Sequence, residues 1–201
     1  MIDEKVLGRV TETGFAMIKS KIDAKELLES FRPKQIECKS WLVQEISNVN
    51  MNWKKVLVLG SWNSLLLYEL MSTHCDVEHF DFLDNNTDCH RDRDIYFEVN
   101  NLFKNYSSIT MDATKFSDHQ SYDLIINTSC EHITQDQYDL WKSGVPHNAL
   151  LVLQSNNYAI QEHVRTAKDL EEFKQQCNID VLWAGELALP LYTRYMIIGK
   201  K

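Results

Sequence analysis

One stretch restricts what this chain can fold into more than any other: Lys54-Lys55-Val56-Leu57-Val58-Leu59-Gly60-Ser61-Trp62-Asn63-Ser64. Its continuous apolar run reads as a strand buried on both faces, as in a parallel sheet. The run stops at Gly60, where a glycine lets the backbone turn tightly and pass close to a ligand. The residues that follow, Ser64 to Met71, are leucine-rich and read as a helix returning along the sheet. Strand, turn and helix form the first unit of a doubly wound α/β domain, whose ligands bind at the carboxyl ends of the strands.

The rest of the chain repeats that unit. Asp76 to Asp84 reads as a second strand, followed by a polar loop from Asn85 to Asp92 and a helix from about Asp94 to Lys104. Ser108 to Met111 and Tyr122 to Asn127 are the third and fourth strands. A helix over Thr134 to Ser143 is closed by Gly144. Ala149 to Gln154 is the fifth strand, and Arg165 to Cys177 an amphipathic helix. The gap between the last two strands, Asp180 to Glu186 and Tyr192 to Gly199, is too short for a parallel crossover, so they form a hairpin. Upstream, Asp23 caps a short helix stopped before Pro33, which opens a second helix to about Asn50 with Ile36, Leu42, Val43, Ile46 and Val49 on one face. Trp41 is expected to pack over the sheet. Residues 1–21, broken by Gly8 and Gly14, read as a short hairpin or a loose arm. The expected division is an N-terminal helical extension over 1–52 and an α/β domain over 53–201.

A length of 201 residues suits one domain with a sizeable core. The net charge of −8 argues against a nucleic-acid backbone as main partner, because phosphate binding relies on clustered Lys and Arg. No apolar run approaches the roughly 20 residues that span a bilayer, so no membrane partner is expected. The charged opening MIDEKVLGRVTETG lacks the apolar core of a signal peptide. The five cysteines are scattered without a CxxC, the usage of a reducing compartment, so a cytoplasmic protein is expected. His74-Cys75 and Cys89-His90 lack a second pair at ligand spacing, and no metal is expected.

The layout resembles the class I S-adenosylmethionine-dependent methyltransferase family over about residues 34–201. The resemblance implies a Rossmann-like, doubly wound seven-stranded sheet, mostly parallel with a C-terminal antiparallel hairpin, plus the N-terminal helices. It implies S-adenosylmethionine as cofactor, with Gly60, Ser61 and Trp62 as the turn beside its methionine part. Asp81, near the end of the second strand with Asp84, would accept hydrogen bonds from the ribose hydroxyls, and Asp112 from the adenine amino group. Asp112 also suits an Asx-turn. The turn departs from the family's acidic-x-glycine-x-glycine-x-glycine pattern: Val58 replaces the acidic residue, Trp62 the second glycine and Ser64 the third. A tryptophan there points away from the ligand, stacks on it or blocks it.

Asn127 to His132 follow the fourth strand, where the family puts residues facing the substrate. Methyl transfer needs alignment of nucleophile and sulfonium carbon, with a base where the acceptor starts protonated. Glu131 and His132 are the candidate bases, and Asn127 the residue that would orient the acceptor. Ser155 to Tyr158 face the same crevice, Arg194 covers its edge, and His163 and Arg165 read as the solvated start of a helix. The expected function is methyl transfer to a small-molecule or protein acceptor. Alternatives are a degenerate member that binds a partner without catalysis, and another reaction on the same cofactor.

Overall fold

A computed structural model describes residues 3–102 and 105–201. Seven strands form one sheet: β1 (Asn52–Leu59), β2 (Asp76–Asp84), β3 (Tyr106–Thr110), β4 (Leu124–Asn127), β5 (Leu150–Asn156), β6 (Asp180–Ala188) and β7 (Thr193–Lys200). Their spatial order is β3-β2-β1-β4-β5-β7-β6. The first five are parallel, and β7 enters antiparallel between β5 and β6. After β1 the chain builds outward through β2 and β3, then returns to place β4 on the other side. The switch point is therefore the β1/β4 seam, where such sheets bind ligands.

Alternate residues of each central strand feed different cores. Val56, Val58, Phe80, Phe82, Leu124 and Ile126 meet one face; Leu57, Leu59, Leu83, Ile125 and Leu151 meet the other. The first face is covered by α3 (Pro33–Val49), α4 (Leu65–His74) and α5 (Thr87–Val99), with α1 (Glu4–Lys19) and α2 (Lys25–Ser30) packed beyond them. The second is covered by α6 (Gln135–Gly144) and α7 (Leu170–Cys177). Single-turn 3₁₀ segments follow β3 (Ala113–Lys115) and β4 (Cys130–His132). All five cysteines are buried free thiols. Among the described residues no helix is long and apolar enough to cross a membrane.

The α/β reading and the closing hairpin hold, and Trp41 packs edge-on against Trp183 of β6, ring centroids 5.9 Å apart. Three local expectations are corrected. Residues 4–19 are helical, neither hairpin nor loose arm, because Val6, Val10, Thr13 and Met17 recur at helical spacing and are buried, while Gly8 faces open space. The polar stretch 87–92 is the first part of α5, capped by Asn86, whose side chain accepts from the Asp88 N–H. Its helical face is hidden in sequence because His90, Asp92 and Arg93 are buried there as polar residues. The expected end of that helix at Lys104 lies outside the described residues, and the helix closes at Val99. Residues 165–169 precede α7, which starts only after Asp169 caps it through the Glu172 N–H.

The N-terminal helices share the core of the sheet, and α1 is pinned to α4 by charge. Glu69 on α4 is 3% exposed; it accepts from Arg9 of α1 at 2.5 Å and from the Tyr96 hydroxyl of α5 at 2.7 Å. Removing a buried partner strands the others. Glu69→Ala is expected to lower unfolding free energy by about 3 kcal/mol in chemical denaturation, with Glu69→Gln costing clearly less because it still accepts from Tyr96.

Candidate functional site

Two adjoining depressions open at the carboxyl ends of the parallel strands, and Gly60, Ser129 and His132 line both. One, of about 350 Å³, is bounded by Asp84 and Asn85 at the end of β2, Met111 to Ala113 after β3, and Asn127 and Ile133 around β4. The other, of about 300 Å³, lies toward the N-terminal helices and is walled by Lys34 and Lys39 of α3, Trp62, Glu131, Asn156 and Arg194 among others.

The turn after β1 joins them. Gly60, Trp62 and Ser64 have φ of +55°, +48° and +49°, so alternate residues occupy the left-handed region. These are the three places where the family pattern has glycine. An L-residue there costs roughly 1–2 kcal/mol, and local hydrogen bonds offset it. The Ser61 N–H donates to the Leu83 carbonyl at 2.9 Å, and the Trp62 N–H to Asp84 Oδ2 at 2.7 Å. The Ser64 hydroxyl donates to the Ser61 carbonyl, and Asn63 Nδ2 to the Glu26 carbonyl at 3.1 Å. The Trp62 indole N–H donates to Glu26 Oε2 of α2 at 2.9 Å. Trp62 thus forms wall and does not fill the crevice. A Cβ on Gly60 would meet Ser129 Cβ at an ordinary 3.7 Å, so glycine is favoured there by φ rather than by crowding.

The structure separates the two carboxylates of β2. Asp81 lies mid-strand, paired with Leu57, and does not line either depression. It is 4% exposed; it accepts from the Tyr122 hydroxyl at 2.5 Å and from Lys55 Nζ at 2.9 Å, and lies 3.0 Å from His79 Nε2. Burial raises its pKa, but hydrogen bonds from Tyr122, Lys55 and His79 outweigh that and hold it below the ordinary carboxylate value. The carboxylate that closes the strand and lines the crevice is Asp84. Its oxygens accept from Trp62 N–H and Asn86 N–H, and among the described residues each keeps a lone pair unused. Its carbonyl faces His90 Nε2 at 3.2 Å; His90 Nδ1 in turn accepts from the fully buried Arg93 at 2.6 Å, which stacks on Phe82. That chain fixes the end of β2 from below.

Asp112 does two things. Its Oδ1 caps the following 3₁₀ turn, accepting from the Thr114 hydroxyl and N–H at 2.7 and 3.0 Å, contacts that depress its pKa. It also lines the Asp84 depression. Asn127 lines that same depression and not the other; its Oδ1 accepts from the Ser129 N–H at 2.9 Å, so it shapes the turn after β4.

Glu131 and His132 do come together in the second depression. Glu131 is 3% exposed, and its Oε1 accepts from Asn156 Nδ2 at 2.6 Å and Arg194 Nη2 at 3.5 Å. These donors come from paired positions of β5 and β7. Cys130, between Ser129 and Glu131, is fully buried, and burial pushes its thiol up to about 12, which leaves it inert as a nucleophile. Two residues of this wall escaped the sequence reading. His163 is no solvated helix start: it sits against His132, ring centroids 4.8 Å apart. Lys39 donates to the Thr128 hydroxyl at 2.9 Å, and burial, helped by Arg194, lowers its pKa to about 7 against the opposing pull of Cys38 and Glu131. A lysine three and four residues before the buried Leu42 and Val43 was the available signal.

No protein-family model and no curated protein matches the chain. Solved structures do. The N-methyltransferase NodS from Bradyrhizobium japonicum, in complex with S-adenosyl-L-homocysteine, superposes over 94% of this chain and 100% of its own, with TM-score 0.67 and 12% identity. Magnesium protoporphyrin IX methyltransferase (ChlM) from Synechocystis with bound S-adenosylhomocysteine gives 86% of each chain, TM-score 0.66 and 11% identity. TehB from Haemophilus influenzae gives TM-score 0.59 at 16% identity, and the chain spans 61% of its length. At such identities the likeness is one of architecture: this chain has the Rossmann-like fold of the class I S-adenosylmethionine-dependent methyltransferases.

Proposed function

We propose that the chain binds S-adenosylmethionine across the two depressions and transfers its methyl group to a small-molecule or protein acceptor in the cytoplasm. The observation that carries this reading is that Asp84 and Asp112, from the ends of adjacent strands, line one depression beside a turn that keeps the left-handed backbone of a glycine-rich loop with only one of its three glycines. In this reading Asp84, not Asp81, accepts from the ribose hydroxyls, and Asp112 Oδ2 accepts from the adenine amino group. Gly60, Ser61 and Trp62 carry the methionine part toward the second depression. NodS and ChlM, which share the fold, are solved with S-adenosylhomocysteine bound.

The acceptor then enters between α3, Glu131 and Arg194. The cofactor would supply an electrophilic methyl group on its sulfonium, and this wall would orient the nucleophilic atom of the acceptor toward it. Where the nucleophile carries a proton, Lys39 is the group to take it, because desolvation lowers its pKa to about 7 and so provides free amine near neutral pH. Glu131 and His132 line the acceptor side.

Calorimetric titration with S-adenosylhomocysteine tests the cofactor. Asp84→Ala is expected to weaken binding at least ~10-fold, the loss of one charge-assisted hydrogen bond or more. Asp81→Ala should leave affinity within about 2-fold, a change of under 1 kcal/mol, yet lower stability. Because the folded pKa of Asp81 is depressed, its contribution is present above the ordinary carboxylate range near pH 4 and fades as pH falls through the folded value. No heat from folded, ligand-free protein would overturn the enzyme reading in favour of a partner-binding protein without catalysis.

Methyl-transfer rate is expected to rise with pH through about 7 as Lys39 loses its proton. Lys39→Met should remove that limb and cost about 10²-fold or more in kcat. An unchanged pH profile in the variant would remove Lys39 from the mechanism.

A further inference from the structure

Glu131, His132 and His163 form a cluster to which the methyl-transfer reading gives no chemical step, only a place on the acceptor side. One carboxylate oxygen and one nitrogen from each ring lie within 4.8 Å of one another. The histidines come from different segments, the 3₁₀ turn after β4 and the loop between β5 and α7, so no sequence spacing announced them. Their meeting is enforced by backbone. The N–H groups of Val164 and Arg165 both donate to the Glu131 carbonyl, at 2.8 and 3.1 Å, which clamps the His163 loop onto the residue beside His132.

The proton positions are set in the same way. His132 Nδ1 lies 3.1 Å from the Glu162 carbonyl, and His163 Nδ1 lies 2.6 Å from the Tyr158 carbonyl. A carbonyl only accepts, so each Nδ1 carries the hydrogen and each Nε2 keeps the lone pair. A backbone carbonyl holding Nδ1–H is one of the common means of orienting a metal-binding imidazole. Glu131 supplies the independent observation. Both of its side-chain donors, Asn156 and Arg194, go to Oε1; Oε2 is buried with no hydrogen-bond partner among the described residues. A carboxylate oxygen shut from water without a partner lacks the counterpart that burial demands.

We propose that Glu131, His132 and His163 bind a divalent transition-metal cation at the acceptor end of the crevice. Two imidazoles and one carboxylate suit zinc, iron, cobalt or manganese better than the all-oxygen preferences of calcium and magnesium. Ligands about 2.0–2.1 Å from a shared metal stand about 3.3 Å apart in tetrahedral geometry. The cluster therefore closes by at most about 1.5 Å, a distance within reach of side-chain rotation at the exposed His132 and half-buried His163. Three protein ligands leave positions open toward the depression shared with Lys39 and Tyr192. The class of acceptor this selects, resting on the methyltransferase reading, is one with a metal-ligating oxygen, whose proton the cation makes easier to remove before the oxygen meets the methyl carbon. The binding site itself does not depend on that reading.

The test is titration of the chelator-stripped full chain with Co²⁺, followed by its visible ligand-field absorption, and then displacement by Zn²⁺. One Co²⁺ per chain is expected, displaced by stoichiometric Zn²⁺. His163→Asn should weaken binding by more than ~10-fold, since loss of a mere supporting contact already costs that much. His132→Ala, at an exposed position, should do the same with an unchanged circular-dichroism melt in the absence of metal, which guards against a folding defect. Absence of a ligand-field band in the wild type, or wild-type cobalt affinity retained in both variants, would overturn the site. S-adenosylhomocysteine titration of the same samples keeps the two ideas apart: cofactor binding without cobalt binding removes only the cation, and cobalt binding without cofactor binding removes only the methyltransferase.

Discussion

The crevice depends on a backbone that its own sequence does little to favour. Left-handed φ angles at Gly60, Trp62 and Ser64 bring successive amides around the end of β1, and only the first of these is a glycine. What glycine would permit passively is here enforced by contacts. Asp84 grips the Trp62 amide, Leu83 the Ser61 amide, and Glu26 the Trp62 indole. The turn is thus tied to β2 on one side and α2 on the other. Its shape is a tertiary property, available only once strand and helix are both in place. Strain of this kind persists where the surroundings over-determine it, and it gathers at sites that clasp ligands.

A second centre forms around Glu131. Its backbone carbonyl receives two amides from the β5–α7 loop, its side chain receives Asn156 and Arg194, and Arg194 also donates to the Thr128 carbonyl and Gln154. The antiparallel insertion of β7 next to β5 is what makes this possible, because it brings Arg194 into register with Asn156 at the carboxyl end of the parallel strands. The closing hairpin of the fold therefore contributes a cation to the crevice as well as an edge to the sheet.

The architecture was legible because parallel strands buried on both faces announce themselves as apolar runs, and β2 was bounded as found, at Asp76 and Asp84. The short gap before β7 dictated the hairpin. Elements whose buried faces are polar or broken by glycine were missed: α1 for its two glycines, the start of α5 for His90, Asp92 and Arg93. The site was legible where residues follow a strand directly, as for Gly60, Asp112, Glu131 and His132, all of which line the crevice. Asp81 was expected at the end of β2 but lies three residues before it, with its carboxylate held by Tyr122 and Lys55, so that Asp84 is the terminal carboxylate. Which strand carboxylate neighbours consume is set by packing and is not written in the strand itself. Lys39 and His163 come from elements remote in sequence, and only packing reveals them.

The bond between the Trp62 indole and Glu26 has a further consequence. The helices over residues 25–49 carry one wall of the crevice, including Ser30, Lys34, Gln35 and Lys39, yet they bury Leu27, Leu42, Val43 and Ile46 in the same core as β1. A wall rooted so deeply is not a gate that swings on a hinge. The same helices thus carry two separable duties: substitutions at their crevice-facing positions would alter what fits, whereas substitutions at their core-facing positions would first cost stability.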